Sequence, residues 1–179
     1  MEKQSFVRLE KETAVKNFRY NRFLLLRYLL AGFFFMNLYW GLSLALSQSW
    51  VALLPFGLMV LNLPAIAEHL RLYGYPSNEI KGQLDQHRRY QWVQLGANLV
   101  LVVMCWAGSG FQMVFPFLNA DPSSRGFVSC ILLSGILLSL LSLRKIATIY
   151  ANLDRHARYI DEFEQTKHTN LVLDDYSTE

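Results

Sequence analysis

The stretch MVLNLPAIAEHLRLYGYP runs apolar for several turns, then sets Asn62, Pro64, Glu68, His69 and Arg71 close together. A carboxylate beside an imidazole suggests a proton relay, half of a metal site, or an intramembrane acid of the kind found on transport routes. Spacing weakens the first two. Neighbours on a helix point about 100° apart, so Glu68 and His69 do not converge on one atom. Glu68 and Arg71 are three apart and share a face, where they can pair. A helix leaving a membrane explains Glu68, His69 and Arg71 as boundary charges, with Tyr73 and Tyr75 completing an interfacial belt.

The other histidines are His87, His156 and His168. None stands at a zinc-helix spacing such as His-Glu-x-x-His, and a site built from His69, His87, His156 and Glu68 is conceivable only through the fold. No Gly-rich phosphate loop, nucleophile elbow or pair of intramembrane aspartates occurs. The expectation is no metal, no haem and no other cofactor.

What must position these residues is membrane-spanning helix. Apolar residues make up 53% of the 179, but they are clustered: residues 28–67 carry no formal charge. Two more charge-free stretches lie between Arg89 and Asp121 and between Arg125 and Arg144. About 20 apolar residues cross a hydrocarbon core, and helices satisfy their own amides there. The first run is long enough for two spans, divided by the polar Ser47, Gln48, Ser49 and Trp50. The expected fold is therefore all-α: an integral membrane four-helix bundle with spans at about 23–46, 50–72, 91–110 and 127–148. Residues 1–22 form a basic N-terminal arm, and 149–179 an amphipathic helix with a flexible tail. The first run follows a charged segment and no small-residue cleavage pattern, so it is expected to be retained.

Orientation follows from the basic residues. Of the 17 Lys and Arg, only Arg125 falls on the side of the 47–50 and 111–126 connections. The positive-inside rule then places both termini and the middle loop in the cytoplasm of a cell (inner or plasma) membrane. These charges read as topology determinants and headgroup contacts, not as a nucleic-acid surface.

Polar residues within spans read as helix-packing groups. Asn37, Asn62, Gln94 and Asn98 are expected to bond across helix interfaces. Gly126, Cys130 and Ser134, at four-residue spacing, form a small-residue ridge with Gly135 and Ser139 alongside, where another helix should approach. Cys105 and Cys130 fall at similar depth, where a disulfide is permitted, but are read as independent packing residues. The external segment with Phe111, Met113, Val114, Phe115 and Phe117 is expected to lie in the interface or on a partner.

Beyond the last span, Leu143, Ile146, Tyr150, Leu153, Ala157 and Ile160 alternate three and four apart, a cytoplasmic interaction stripe on a helix running to about Glu164. The function expected is a non-catalytic multi-pass subunit that anchors, assembles or regulates a larger membrane complex through the fourth helix and the arms. The partner is the lipid bilayer plus another membrane protein or further copies of the chain. The alternatives are a small oligomeric transporter or channel component and, third, a membrane enzyme using Glu68 with a histidine.

Overall fold

The computed structural model describes Thr13, Asn21 and residues 23–72 and 82–151. The elements are α1 (Leu24–Leu46), a 3-10 turn (Trp50–Ala52), α2 (Leu53–Arg71), α3 (Asp85–Trp106), the short α4 (Gly110–Val114) and α5 (Pro122–Tyr150). The described residues are helix and turn. The N-terminal arm and the stripe residues Leu153, Ala157 and Ile160 lie outside them.

Each helix end has a local cause. The α1–α2 corner closes through Gln48, whose φ of 52° is left-handed. Its N–H donates to the Ala45 carbonyl at 3.0 Å, and Ser49 N–H donates to Leu44 O at 3.0 Å. Pro64 sits within α2 without ending it. α3 stops at Trp106, short of the 110 expected, because Gly108 (φ +48°) turns the chain in a conformation that favours glycine. Gly110 then passes so near α3 that a Cβ there would lie 2.6 Å from the Met104 carbonyl oxygen. α5 starts at Asp121, whose carboxylate accepts from Ser124 N at 3.1 Å and from Ser124 Oγ at 2.7 Å. Those bonds hold the Asp121 carboxyl below the usual carboxylate range.

Packing is antiparallel: α1 on α2, α2 on α3, and α3 on α5. One end gathers Phe23, Leu26, Leu72, Leu84, Ile146 and Ile149. This joins the start of α1, the end of α2, the start of α3 and the end of α5. The opposite end gathers Leu44, Val51, Ala52, Leu101, Cys105, Phe111, Val114, Phe115 and Val128. Here the segment expected to lie in the interface or on a partner folds back on its own bundle. Phe111, Val114 and Phe115 are buried, Trp40 stacks on Phe115 at 5.8 Å, and Trp40 Nε1 donates to Val114 O at 3.1 Å. Met113 and Phe117 remain exposed. Arg125, the odd basic residue on that side, donates to Cys105 O at 3.0 Å and Gly108 O at 3.4 Å and lies 5.5 Å over the Phe111 ring. It caps the end of α3, whose last carbonyls have no partner within the helix.

Three helices are long and apolar enough to cross a membrane: Leu24–Leu46, Trp50–Arg71 and Pro122–Tyr150. At 1.5 Å per residue the first is about 34 Å long, beyond the roughly 30 Å of hydrocarbon. These helices make the chain a membrane-embedded one. α3 is not among them, because its first half is polar.

The surface fits that setting. Leu25, Phe35, Leu53, Val60, Leu133 and Leu137 point outward, while Asn37, Asn62, Gln91, Gln94 and Asn98 are buried. A soluble helix has the reverse arrangement. Hydroxyls that do face outward bond back four residues along their own helix: Ser43 to Tyr39 O, Ser134 to Cys130 O and Thr148 to Arg144 O, each at 2.9 Å.

Candidate functional site

The buried face of α3 runs His87, Gln91, Gln94, Asn98, Leu101, Cys105, alternating four and three residues apart. That spacing keeps one seam turned toward the neighbouring helices. Its first four positions are polar. From His87 to Asn98 the seam rises about 16 Å, roughly half a membrane.

At the outset of the seam two helices lock together. Glu68, expected to pair with Arg71 on its own helix, turns to α3 instead. Its Oε1 accepts from Gln86 N at 2.8 Å and its Oε2 from His87 N at 3.0 Å. A carboxylate there satisfies two N–H groups in the first turn of α3 and meets the positive end of the helix dipole. His69, on the next face of α2, points inward, and its Nε2 lies 2.8 Å from Nδ1 of His87. Both imidazoles are buried, at 4% and 0% exposure. Glu68 and His69 therefore do not converge on one atom; they engage α3 side by side. Arg71 is exposed. Among the described residues no group of three His, Cys, Asp or Glu side chains stands ready to hold a metal.

With the Gln91 amide as placed, hydrogen-bond bookkeeping wires the pair in one direction. His87 Nε2 meets Gln91 Nε2 at 3.1 Å and Ser142 Oγ at 3.2 Å. An amide nitrogen only donates, so His87 Nε2 accepts, and a neutral His87 carries its proton on Nδ1 and gives that bond to His69. His69 then holds its own proton on Nδ1, which has no partner. Turning the Gln91 amide over reverses every bond and still leaves His69 Nδ1 unpartnered.

Deeper along the seam, Gln94 is a hub. Its Oε1 accepts from Asn37 Nδ2 and from the Tyr90 hydroxyl, both at 3.0 Å, and its Nε2 donates to Asn98 Oδ1 at 3.2 Å. Asn37 Nδ2 also approaches the Tyr90 oxygen at 3.4 Å. Asn62 donates to the Leu30 carbonyl at 3.1 Å, joining α2 to α1. Asn37, Gln94 and Asn98 thus belong to one network, and Asn62, which also lies against the Tyr90 hydroxyl, ties α2 to it. Sequence reading grouped His87 with His69 and Glu68, which the fold brings together, but missed Tyr90, Gln91 and Ser142. The four-three alternation over 87–105 was the available signal for Gln91.

The small-residue ridge divides. Gly126, Cys130 and Ser134 are exposed in the single chain, and a Cβ on Gly126 would meet nothing within 4 Å. The face of α5 that meets α3 carries Val128, Gly135, Ser139, Ser142 and Ile146. A Cβ on Gly135 would lie 2.7 Å from Asn98 Nδ2. Cys105 is buried in the apolar end and Cys130 faces outward, and both are free thiols. Of the tail stripe, Ile146 is buried within the bundle and Leu143 half-buried. Tyr150 Oη accepts from Leu84 N and donates to Asp85 Oδ1, each at 3.0 Å. Ile146 and Tyr150 thus pack within the chain, while Leu143 stays half-exposed.

Comparison with protein-family models, with curated protein sequences and with solved structures gives no match to this chain.

The site can join helices and hold protons in alternative arrangements. Glu68 carries the joining role most plainly. Glu68→Gln keeps one acceptor oxygen and is expected to lose less than about 1 kcal/mol, whereas Glu68→Ala leaves both N–H groups of α3 unmet and should lose about 1–2 kcal/mol. Unfolding in detergent checks the order. Equal stability of the two variants would mean that the carboxylate does not cap α3.

Proposed function

We propose that the chain is a four-span membrane protein, the fourth span being α3, and that it serves as a non-catalytic subunit that anchors, assembles or regulates a larger membrane complex. The observation that carries the span count is the sidedness of α3. Between Trp92 and Trp106 its exposed residues are Trp92, Val93, Leu99, Val100, Val103 and Trp106, all apolar. Its polar residues over that length face the bundle, so an average over the helix understates how apolar its outer surface is. Trp106 marks one end of that outward face and Arg88, eighteen residues earlier, the other, about 27 Å apart and close to the roughly 30 Å of hydrocarbon. Four spans return both termini and the 73–81 connection to one side, which the basic residues assign to the cytoplasm of the cell membrane.

The subunit role rests on how the polar groups are occupied. Glu68 serves a helix end, His69 serves His87, and Gln94 serves three side chains, so the groups able to do chemistry are engaged in holding helices together. The row Gly126, Cys130 and Ser134 faces away from its own bundle, which leaves it to lipid or to another membrane protein. Purification in mild detergent is expected to bring down a stoichiometric membrane partner. Recovery of the chain alone, with solute or ion flux after reconstitution into liposomes, would overturn the subunit reading. It would support instead a small oligomeric transporter, the reading that the continuous polar seam favours.

A further inference from the structure

We propose that the bundle, from its middle to the His69–His87 end, holds a hydrated internal site: a short file of water between α2, α3 and α5, sealed from the opposite end by the apolar layer. This goes beyond the subunit role and does not depend on it. Four buried side-chain atoms have no protein partner: Asn62 Oδ1, His69 Nδ1, Gln91 Oε1 and Ser139 Oγ. Their residues are 0%, 4%, 0% and 0% exposed. They come from α2, α3 and α5, with α3 packed against both of the others. Asn62 and His69 are seven apart, two turns along one face of α2. Gln91 stands one turn from His87 on α3, and Ser139 one turn from Ser142 on α5, the two residues that meet at 3.2 Å.

The opposite end, lined by Leu44, Leu101, Cys105, Phe111 and Val128, offers no side-chain nitrogen or oxygen to hold water. A buried polar atom without a partner is costly, and internal water making two to four hydrogen bonds is how proteins usually remove that cost. The unmet atoms include a hydroxyl, two amide oxygens and an imidazole nitrogen, so a water molecule finds both donors and acceptors. The tautomer argument adds a constraint, since no orientation of Gln91 supplies His69 Nδ1 from within the protein.

Radiolytic hydroxyl labelling of the full chain in lipid nanodiscs tests this, because radicals form from bound water beside the side chains they oxidise. His87 and Tyr90 are as buried as Phe111, at 0%, 2% and 0% exposure. Normalised for intrinsic reactivity, His87 and Tyr90 are expected to be oxidised at least about tenfold faster than Phe111. Rates equal to that of Phe111 would overturn the proposal and leave the subunit reading untouched. Gln91→Leu combined with Ser139→Ala removes two of the water-binding atoms. In that variant, oxidation of His87 and Tyr90 should fall to the Phe111 level with the thermal midpoint retained. Unchanged oxidation would place the water elsewhere and overturn the site, and the wild-type comparison stands whether or not the variant folds.

Discussion

Gln94→Leu is expected to destabilise the bundle by about 2–3 kcal/mol, more than any other single polar substitution in the seam. One hydrogen bond between membrane helices is worth only about 0.6 kcal/mol on average, which by itself would make the loss small. Gln94 differs because it serves three buried partners at once: Asn37, Tyr90 and Asn98. Leucine cannot replace either end of the amide, and a buried group left unmet costs about 1–3 kcal/mol. Rearrangement of Asn37 toward the Tyr90 oxygen recovers part of that loss, hence the intermediate figure. Reversible unfolding of purified protein in detergent measures it. Adding Asn37→Leu or Asn98→Leu should cost less in the Gln94→Leu background than in wild type, since the partner is already lost. A loss below about 0.5 kcal/mol for Gln94→Leu would mean that the network is not formed.

Gly135→Leu and Ser134→Leu, adjacent in sequence, are expected to behave oppositely. At Gly135 even a Cβ would come within 2.7 Å of Asn98 Nδ2, and Phe33 stands 3.9 Å away on the other side. Asn98 is tethered to Gln94 and cannot swing clear without breaking that bond. Overpacking of this kind costs about 1–3 kcal/mol, and broken bonds in the seam raise it further. Ser134 is exposed and its hydroxyl bonds only to its own helix, so leucine there should change stability of the isolated chain by less than about 0.5 kcal/mol. The informative result for Ser134→Leu is association: a stable protein that no longer co-purifies with its partner would locate the interface on that row. Similar destabilisation by both variants would mean that the helix is rotated from the position described.

The helices themselves were legible in the sequence because long uncharged runs have few soluble explanations. Helical rotation was not. Gly126, Cys130 and Ser134 form a convincing small-residue row by spacing alone, yet Gly135 lies on the side that meets α3, and nothing in composition distinguishes the two rows. Glu68 illustrates a second limit. Pairing with Arg71 is what local spacing offers, whereas the first turn of α3 offers two unmet N–H groups that become visible only when α2 and α3 are antiparallel neighbours. α3 illustrates a third. Its polar residues fall at four-three spacing on one face, so the helix averages as polar although its outward side is apolar. His87 and Gln91 belong to that pattern, but His87 precedes the charge-free run and Gln91 stands at its edge, where a polar side chain reads as a boundary residue.

The placement of α3 across the membrane is tested most directly by topology. Compartment-sensitive reporters would be fused after Glu179 and inserted at Asn119, an exposed position in the connection between α4 and α5. Four spans with the basic side inward predict a cytoplasmic reporter at the C-terminus and an external one at Asn119. Both reporters on the same side would mean that α5 does not cross. A cytoplasmic reporter at Asn119 with an external one after Glu179 would contradict the account, as expected if α1 and α2 cross as a hairpin and α3 does not span.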